Sequence, residues 1–547
     1  MIKKLLLISL FISSTVFAQN TVGIISATNE VYDGFTLFSV HKKSFLINNC
    51  GEKINEWTSE FPPGNAVYLL PNGNLLRAGR KDGQSTISFG GSGGVVELFD
   101  WDGNLLWQFE YNDNQMRQHH DVFPMPNGNV LILAATVMTE AEALQAGRDP
   151  SLLTDNELYN EQIIEVEPVG SDQGNIVWEW NIKDHLIQDF DNTKDNFGVI
   201  ADHPEKLDIN FVNDGGGGAN WLHINSIQYN DNLNQIVLSS RNLSEMWIID
   251  HSTTTAESAT GSGGTYGKGG DLLYRWGNPQ SYGQGTETDR KLFGQHFPHF
   301  IEDGLVDAGK IMVFNNGNGR TPVFSEVLIF NPPTTSPGVY EYFANTAYGP
   351  IAEDYSYSDQ TNDPSDFYSP IVSGAQRLPN GNILVCQGIN GRFFELNATD
   401  QIVWEYVNPM SNNTGTIFNQ TETASTNLTF RATKYAKTYG AFSGRDVSPG
   451  LPIEGNPDLT PCSTLSTETV SNDFDVQIYP NPATDLINIK TGKEIQRTEI
   501  YSLLGKKLSV YQHTKQLDIA NLSSGIYLLK IFSNGAILTK KIVITNG

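Results

Sequence analysis

The chain has 547 residues, with 61 acidic against 35 basic side chains and a formal net charge of −26. Such a balance lacks the basic footprint that nucleic acid and anionic membrane surfaces require, and an anionic substrate would need a locally positive pocket. The length exceeds that of a usual single domain. A hydrophobic content of 39% with only 18% charged residues suits a sizeable core of short strands joined by many turns.

Residues 1–18 read as a secretory signal. Lys3 and Lys4 precede the apolar run LLLISLFISSTVF, and Val16-Phe17-Ala18 makes a small-residue cleavage site. The run is too short to favour a membrane anchor, and no later segment is apolar enough over a sufficient length to span a bilayer.

From residue 19 to 445 the chain repeats. A short apolar segment carrying an aromatic recurs at Trp57, Trp107, Trp178, Tyr274, Tyr340 and Trp404. Hairpin turns of the Asn-Gly type join alternating strands at 70–74, 125–129, 229–234, 302–310 and 378–382. Four-stranded propeller blades need about 40 to 50 residues each and place any excess in loops. The predicted fold is therefore all-β, a six-bladed β-propeller over 19–445. A large sandwich would give no reason for six similar units. A short helical piece is expected near 139–147. The Gly-rich stretches 205–220 and 251–270 read as insertions of the kind that carry function.

Residues 446–474 are rich in Pro, Ser and Thr and read as a linker. From 475 to 547 short alternating strands predict a small C-terminal β-sandwich. From 484 onward it carries nine Lys/Arg against four Asp/Glu, so it is basic where the body is acidic. Of the three cysteines, Cys50, Cys386 and Cys462, one pair could bridge in an oxidising compartment. The sequence does not say which.

Three of the ten histidines share a step counted back from a hairpin. His120 lies eight residues before Gly128, His296 eight before Gly304, and His223 eight before Asp231. Asn65 and Ser373 hold the same step in the other hairpins. In a propeller, equivalent positions of the innermost strands face one axis, so this set predicts a polar ring. A second step, seven residues after the turn glycine, places Arg80 and Asn316, and Arg241 falls near the same point, eighteen residues beyond His223. An arginine fork beside histidines, with no carboxylate cluster, points to an oxyanion. Three histidines would also suffice for zinc. However, His119 and His120 should face opposite sides of a regular strand, as should His296 and His299. No metal and no cofactor is expected. Trp221 and Phe293 are candidate platforms for an aromatic ligand.

The tail resembles the type IX secretion C-terminal sorting domain, through Tyr479-Pro480-Asn481-Pro482-Ala483, the Gly505-Lys506-Lys507 turn, Leu522 to Tyr527 and the ending Lys540 to Ile544. That resemblance implies secretion or cell-surface export, with the type IX machinery as a partner. The body, over about residues 25–440, resembles the bacterial arylsulfate sulfotransferases. It does so through HHDV at 119–122, WLHINSI at 221–227, SSRN at 239–242, GQH at 294–296 and FNNGNGR at 314–320. This resemblance implies a propeller that moves a sulfuryl group from an aryl sulfate donor to a phenolic acceptor through a sulfohistidine, without a nucleotide sulfate donor. It makes His296 the nucleophile. His223 and Arg241 then hold the sulfate oxygens, and His120 completes the pocket and serves in proton transfer, with only the register count preferring it to His119. Asn316 and Arg80 are the expected substrate-binding residues. The alternatives are a non-catalytic propeller that binds a sulfated or acidic ligand, and a metal-dependent hydrolase.

Overall fold

The computed structural model describes residues 20–213, 218–359, 363–464, 476–502, 507–533 and 536–545. The expected signal at 1–18 and residues Gly505 and Lys506 of the tail turn lie outside them. The chain divides into two units, Met1–Ser463 and Thr464–Gly547.

The first unit is all-β. Six antiparallel meanders follow one another, beginning at Gly34–Val40, Pro63–Leu69, Met116–Pro124, Ile224–Asn230, His296–Phe300 and Gly374–Arg377. Closure uses both ends of the unit. The late strand Ala432–Ala436 pairs with Gly34–Val40 and becomes the first strand of sheet one. The early strand Gly23–Ala27 pairs with Ile402–Val407 and becomes the last strand of sheet six. The first strands of successive sheets touch one another from Pro63–Leu69 round to Ala432–Ala436. Tyr435 then returns to the start, its Oη accepting from Leu69 N at 3.0 Å.

The sheets stack face to face, so most strands are apolar on both sides. Leu37, Leu46, Val67 and Leu75 fill the space between sheets one and two. Leu76, Val96, Ile132 and Ile164 fill the next. The recurring aromatics join the rims. Each outer strand sends one across to the chain that leaves, or follows, the third strand of the next sheet. Trp57 donates to Asp100 O, Trp107 to Gln173 O, Trp178 to Thr253 Oγ1, Tyr274 to Gly349 O and Trp404 to Asn49 O, at 2.6–3.1 Å. The sixth such residue is Tyr355, whose Oη lies 2.7 Å from Asp400 Oδ1. It is not Tyr340, which sits in a small side hairpin and bonds Gln235. The inserted hairpin, Thr334–Ser336 with Val339–Tyr340, displaces the fourth strand of that sheet to Tyr355–Tyr357. A helix, Glu140–Gln145, starts at a capping box formed by Thr139 and Glu142.

On the inner side, Arg431 and Asp121 form a buried ion pair. Arg431 Nη2 is 2.9 Å from Asp121 Oδ1 and Nη1 is 3.2 Å from Oδ2. Tyr68 Oη donates to the same carboxylate, and so does the backbone N of Ile227. The guanidinium also lies 4.0 Å over the ring of Phe297. Four side chains and one backbone N–H, from five of the six first strands or their leading residues, thus meet at one charge pair.

Residues 446–463 are ordered on the body. Gly450 N donates to Lys53 O, Gly455 N to Phe418 O, and Cys462 is bridged to Cys50. Cys386 is free and buried. In the second unit, Gln477–Tyr479, Leu486–Lys490 and Gln516–Asp518 form one antiparallel sheet. Arg497–Ser502, Lys507–Gln512, Gly525–Ser533 and Ala536–Ile544 form another. They share a core that includes Ile487, Ile489, Ile500, Leu529 and Ile542. Among the described residues, no helix is long and apolar enough to cross a membrane.

Removing one member of a buried ion pair strands the other charge, at a cost of about 3–5 kcal/mol, whereas replacing both with apolar groups costs less. Asp121→Ala should destabilise the first unit by that amount in urea titration. Asp121→Leu combined with Arg431→Met should be milder than either single change.

Candidate active site

His120, His223 and His296 come together at the inner end of sheets three, four and five. The rings of His120 and His223 are 4.8 Å apart at 65°. His120 and His296 are almost fully buried, and His223 is partly so. The hairpin count that linked them holds for two. His120 and His296 each stand five residues before the residue whose N–H closes its hairpin, Met125 and Ile301. In sheet four the strands pair Asn230 with Gln235, so the equivalent step belongs to Asn225. Asn225 is buried and donates to Gln295 O at 2.8 Å. His223 precedes the strand Ile224–Asn230 and enters the cluster from a left-handed position, φ 51°.

His119 and His120 do not face opposite sides. His120 has φ 49°, which breaks the alternation of the strand, and the two Nδ1 atoms lie 2.9 Å apart. The left-handed Phe297, φ 55°, does the same in sheet five, where His299 Nδ1 bonds Phe297 O at 3.0 Å.

Neighbouring amides set which ring nitrogen of each histidine carries the proton. Asn316 donates from Nδ2 to both Ser369 O and Val372 O, at 2.6 and 2.9 Å. Its Oδ1 is thereby turned to His296 Nδ1 at 2.8 Å and must accept. His296 therefore carries its proton on Nδ1 and a lone pair on Nε2, where Val372 N donates at 3.2 Å. Asn220 Nδ2 donates to His223 Nδ1 at 2.7 Å, which leaves an N–H on His223 Nε2.

The second predicted step is occupied unevenly. Arg241 follows the strand Gln235–Ser240, and its backbone N donates to His223 O at 3.1 Å. Its charge disfavours protonation of all three histidines. Asn316 orients His296, as above. Arg80 does not join them. The strand Leu75–Arg80 runs one residue further, with Arg80 paired to Gly94, and its side chain is exposed beside Asp82 at 3.1 Å. Ser373 is buried next to Val372 and bonds Ser369. Asn65 keeps the left-handed backbone of this step, φ 89°.

Of the two aromatic candidates, Trp221 is buried in the core, donating to Tyr159 O beneath Arg148. Phe293 is half-buried under Arg290, 4.4 Å away. Phe430 meets His296 edge-on at 6.4 Å. The aromatic that meets His119, His120 and His223 is Phe89, in the loop after Arg80. It lies parallel to His120 at 6.0 Å, edge-on to His119 at 4.5 Å, and 6.1 Å from His223. Gly91 in the same loop, φ +78°, passes so close that a Cβ there would lie 2.2 Å from the His120 ring. The run FGGSGG at 89–94 was the available signal for this close approach. Arg431 gave none, being distant in sequence and outside every motif.

Burial is the main force on the titration of the site. It holds His296 down to about 3, with help from Arg241 and Arg431 and against the Asn316 hydrogen bond. Burial, then His223 and the other histidines, holds His120 well below the usual imidazole range. Burial and then Arg241 do the same for His223. All three are neutral at physiological pH. The site thus offers one unprotonated imidazole nitrogen, its lone pair touched by the Val372 N–H, beside a guanidinium and an imidazole N–H, an arrangement suited to attack on an oxyanion ester. Among the described residues, no group of three or more His, Cys, Asp or Glu side chains could hold a metal ion.

The family described as Arylsulfotransferase (ASST) matches residues 44–439, and the Secretion system C-terminal sorting domain matches residues 477–545. The chain belongs to the arylsulfotransferase family, which supports an aryl-sulfotransferase-type function. Its C-terminal unit is a type IX sorting domain, which marks the protein for secretion and cell-surface export. No curated protein matches. Solved structures with similarity include a protein of unknown function from Bacteroides caccae, at 11% identity and TM-score 0.38, covering 74% of this chain and 98% of that one. A catalytically inactive variant of virginiamycin B lyase from Staphylococcus aureus matches at 10% identity and TM-score 0.32, covering 70% and 87%.

A histidine whose native pKa is depressed binds fewer protons than in the unfolded chain between that value and about 6.5, so it loses stability as pH falls through that window. With His296 at about 3, its contribution at pH 5 relative to pH 7.5 is a loss on the order of 2 kcal/mol. Urea titrations of the parent and His296→Asn at the two pH values should show the smaller pH dependence in the variant.

Proposed function

We propose that this chain is a secreted aryl-sulfate sulfotransferase whose catalytic unit is a six-bladed β-propeller, followed by a sandwich-type sorting domain. It moves a sulfuryl group from a phenolic sulfate ester to a phenol by way of a sulfohistidine at His296. The observation that carries this reading is the fixed tautomer of His296. Asn316 accepts from Nδ1–H, so the lone pair lies on Nε2, where a substrate sulfur would displace the 3.2 Å hydrogen bond from Val372 N.

In the first half-reaction His296 Nε2 attacks sulfur, the S–O bond to the donor phenol breaks, and that phenol leaves. In the second, an acceptor phenol oxygen attacks the sulfur on His296, the N–S bond breaks, and the aryl sulfate product departs. Sulfuryl transfer passes through a loose transition state with charge on the equatorial oxygens, as phosphoryl transfer does, so cationic donors and positioning matter most. Arg241 and the Nε2–H of His223 are the donors for those oxygens. His120, next to His223 and beneath Phe89, faces the phenol oxygen and exchanges its proton. Phe89 gives the aryl ring a stacking partner.

Initial rates with donor and acceptor both varied should give parallel double-reciprocal lines. His296→Ala should abolish phenol release from every donor, and Arg241→Ala should lower kcat/KM by about 10²–10³ fold, the usual loss for one oxyanion donor. Intersecting lines, or a His296→Ala variant as active as the parent, would contradict the assignment.

A further inference from the structure

Behind His120 lies a chain of buried groups that the two half-reactions leave without a task. His119 Nδ1 bonds His120 Nδ1 at 2.9 Å, and His119 Nε2 lies 3.0 Å from Glu161 Oε2, two buried atoms that face each other with no other partner and are not aligned as a hydrogen bond. Glu161 comes from the strand Glu157–Val169, and its Oε1 accepts from Ile224 N at 3.0 Å, next to His223. All three side chains are almost fully buried, at 0%, 3% and 1% exposure for His119, His120 and Glu161. Phe89 closes the His119 ring edge-on. Nothing in oxyanion binding requires a carboxylate at this place.

The atoms facing one another leave two proton arrangements. With Glu161 ionised, His119 must present Nε2–H to it. His119 Nδ1 is then an acceptor, His120 Nδ1–H donates to it, and His120 Nε2 is bare toward the substrate. With Glu161 protonated, its O–H donates to His119 Nε2, His119 Nδ1–H donates to His120 Nδ1, and His120 Nε2–H faces the substrate. The two states differ by one proton, and neither contains an imidazolium. That matters beside Arg241, His223 and His296, all of which disfavour positive charge on His120.

We infer that Glu161, His119 and His120 form a proton relay in which the buried carboxylate stores the proton exchanged with the substrate phenols. The inference rests on the sulfotransferase reading and specifies how that site handles protons. In the loaded state His120 Nε2–H protonates the departing phenolate oxygen as its S–O bond breaks. His119 Nδ1–H then passes to His120 Nδ1 along their hydrogen bond, and the Glu161 proton to His119 Nε2 across the 3.0 Å contact once a small turn of the ring aligns it, leaving Glu161 ionised. In the second half-reaction His120 Nε2 takes the proton of the acceptor O–H as the O–S bond forms, and the same shifts reversed return a proton to Glu161. Each cycle uses one proton and restores it. Glu161 and His119 act through His120 and are positioning residues.

The test is a single-turnover series on the full chain, with aryl sulfates whose leaving phenols run from nitrophenol to unactivated alkylphenols. A nitrophenolate leaves without a proton, and an alkylphenolate needs one. Relative to the parent, Glu161→Gln should raise the ratio of nitrophenyl to alkylphenyl rates by about 10² fold, the usual worth of a general acid. His119→Gln, which breaks the relay one link nearer His120, should steepen the series in the same way and serves if Glu161→Gln does not fold. A variant that slows every donor by the same factor, or leaves the ratio unchanged, overturns the relay. A parent chain that releases no phenol from any donor overturns the sulfotransferase reading instead.

Discussion

The buried contact between Arg431 and Asp121 is the point on which the inner geometry depends. Arg431 leads into the strand that the end of the unit lends to sheet one, and Asp121 belongs to sheet three. Their pairing fixes the last-added strand to Tyr68 and Ile227 of two further sheets and to the ring of Phe297 in a fourth. The carboxylate is saturated by donors, which is what makes a buried charge tolerable. One residue before Asp121 is His120, and one before Phe297 is His296. The contact that closes the ring of sheets therefore also sets the depth at which two of the three histidines stand. Arg431 further helps to hold His296 neutral.

The division of labour among the three histidines follows from what stands behind each. Chemically they are the same side chain, two of them almost fully buried and His223 partly so. Asn316 makes His296 a donor at Nδ1 and an acceptor at Nε2. Asn220 makes His223 an acceptor at Nδ1 and a donor at Nε2. His120 is backed by an imidazole, and behind that a carboxylate, rather than by an amide. Different hydrogen-bond partners thus give one residue type three different proton arrangements.

The repeat, His120, His296 and Asn316 were legible in the sequence because they stand at fixed offsets from recognisable turns, whereas His223 and Arg241 met the count without sharing the structural step. What escaped did so for local reasons. The left-handed backbone at His120 and Phe297 turns side chains that alternation would separate, and nothing in the residue names announces it. Arg80 satisfies the same count as Arg241, but one more paired residue in its strand leaves it facing solvent. An inserted hairpin moved the sixth rim aromatic from Tyr340 to Tyr355. Glu161 and Arg431 lie far from the motifs in sequence, and only the closed ring brings them to the histidines.

In the proposed reaction, Nε2 of His296 is the atom that receives the sulfuryl group. The most direct test of this assignment is the intact mass of the full chain after brief mixing with a chromogenic aryl sulfate and no acceptor, followed by peptide mapping at a pH that preserves the N–S bond. The expected result is a gain of one sulfuryl group, carried by the peptide containing His296 and discharged by added phenol. Phenol release with no mass gain, or a sulfuryl group on another residue, would contradict it.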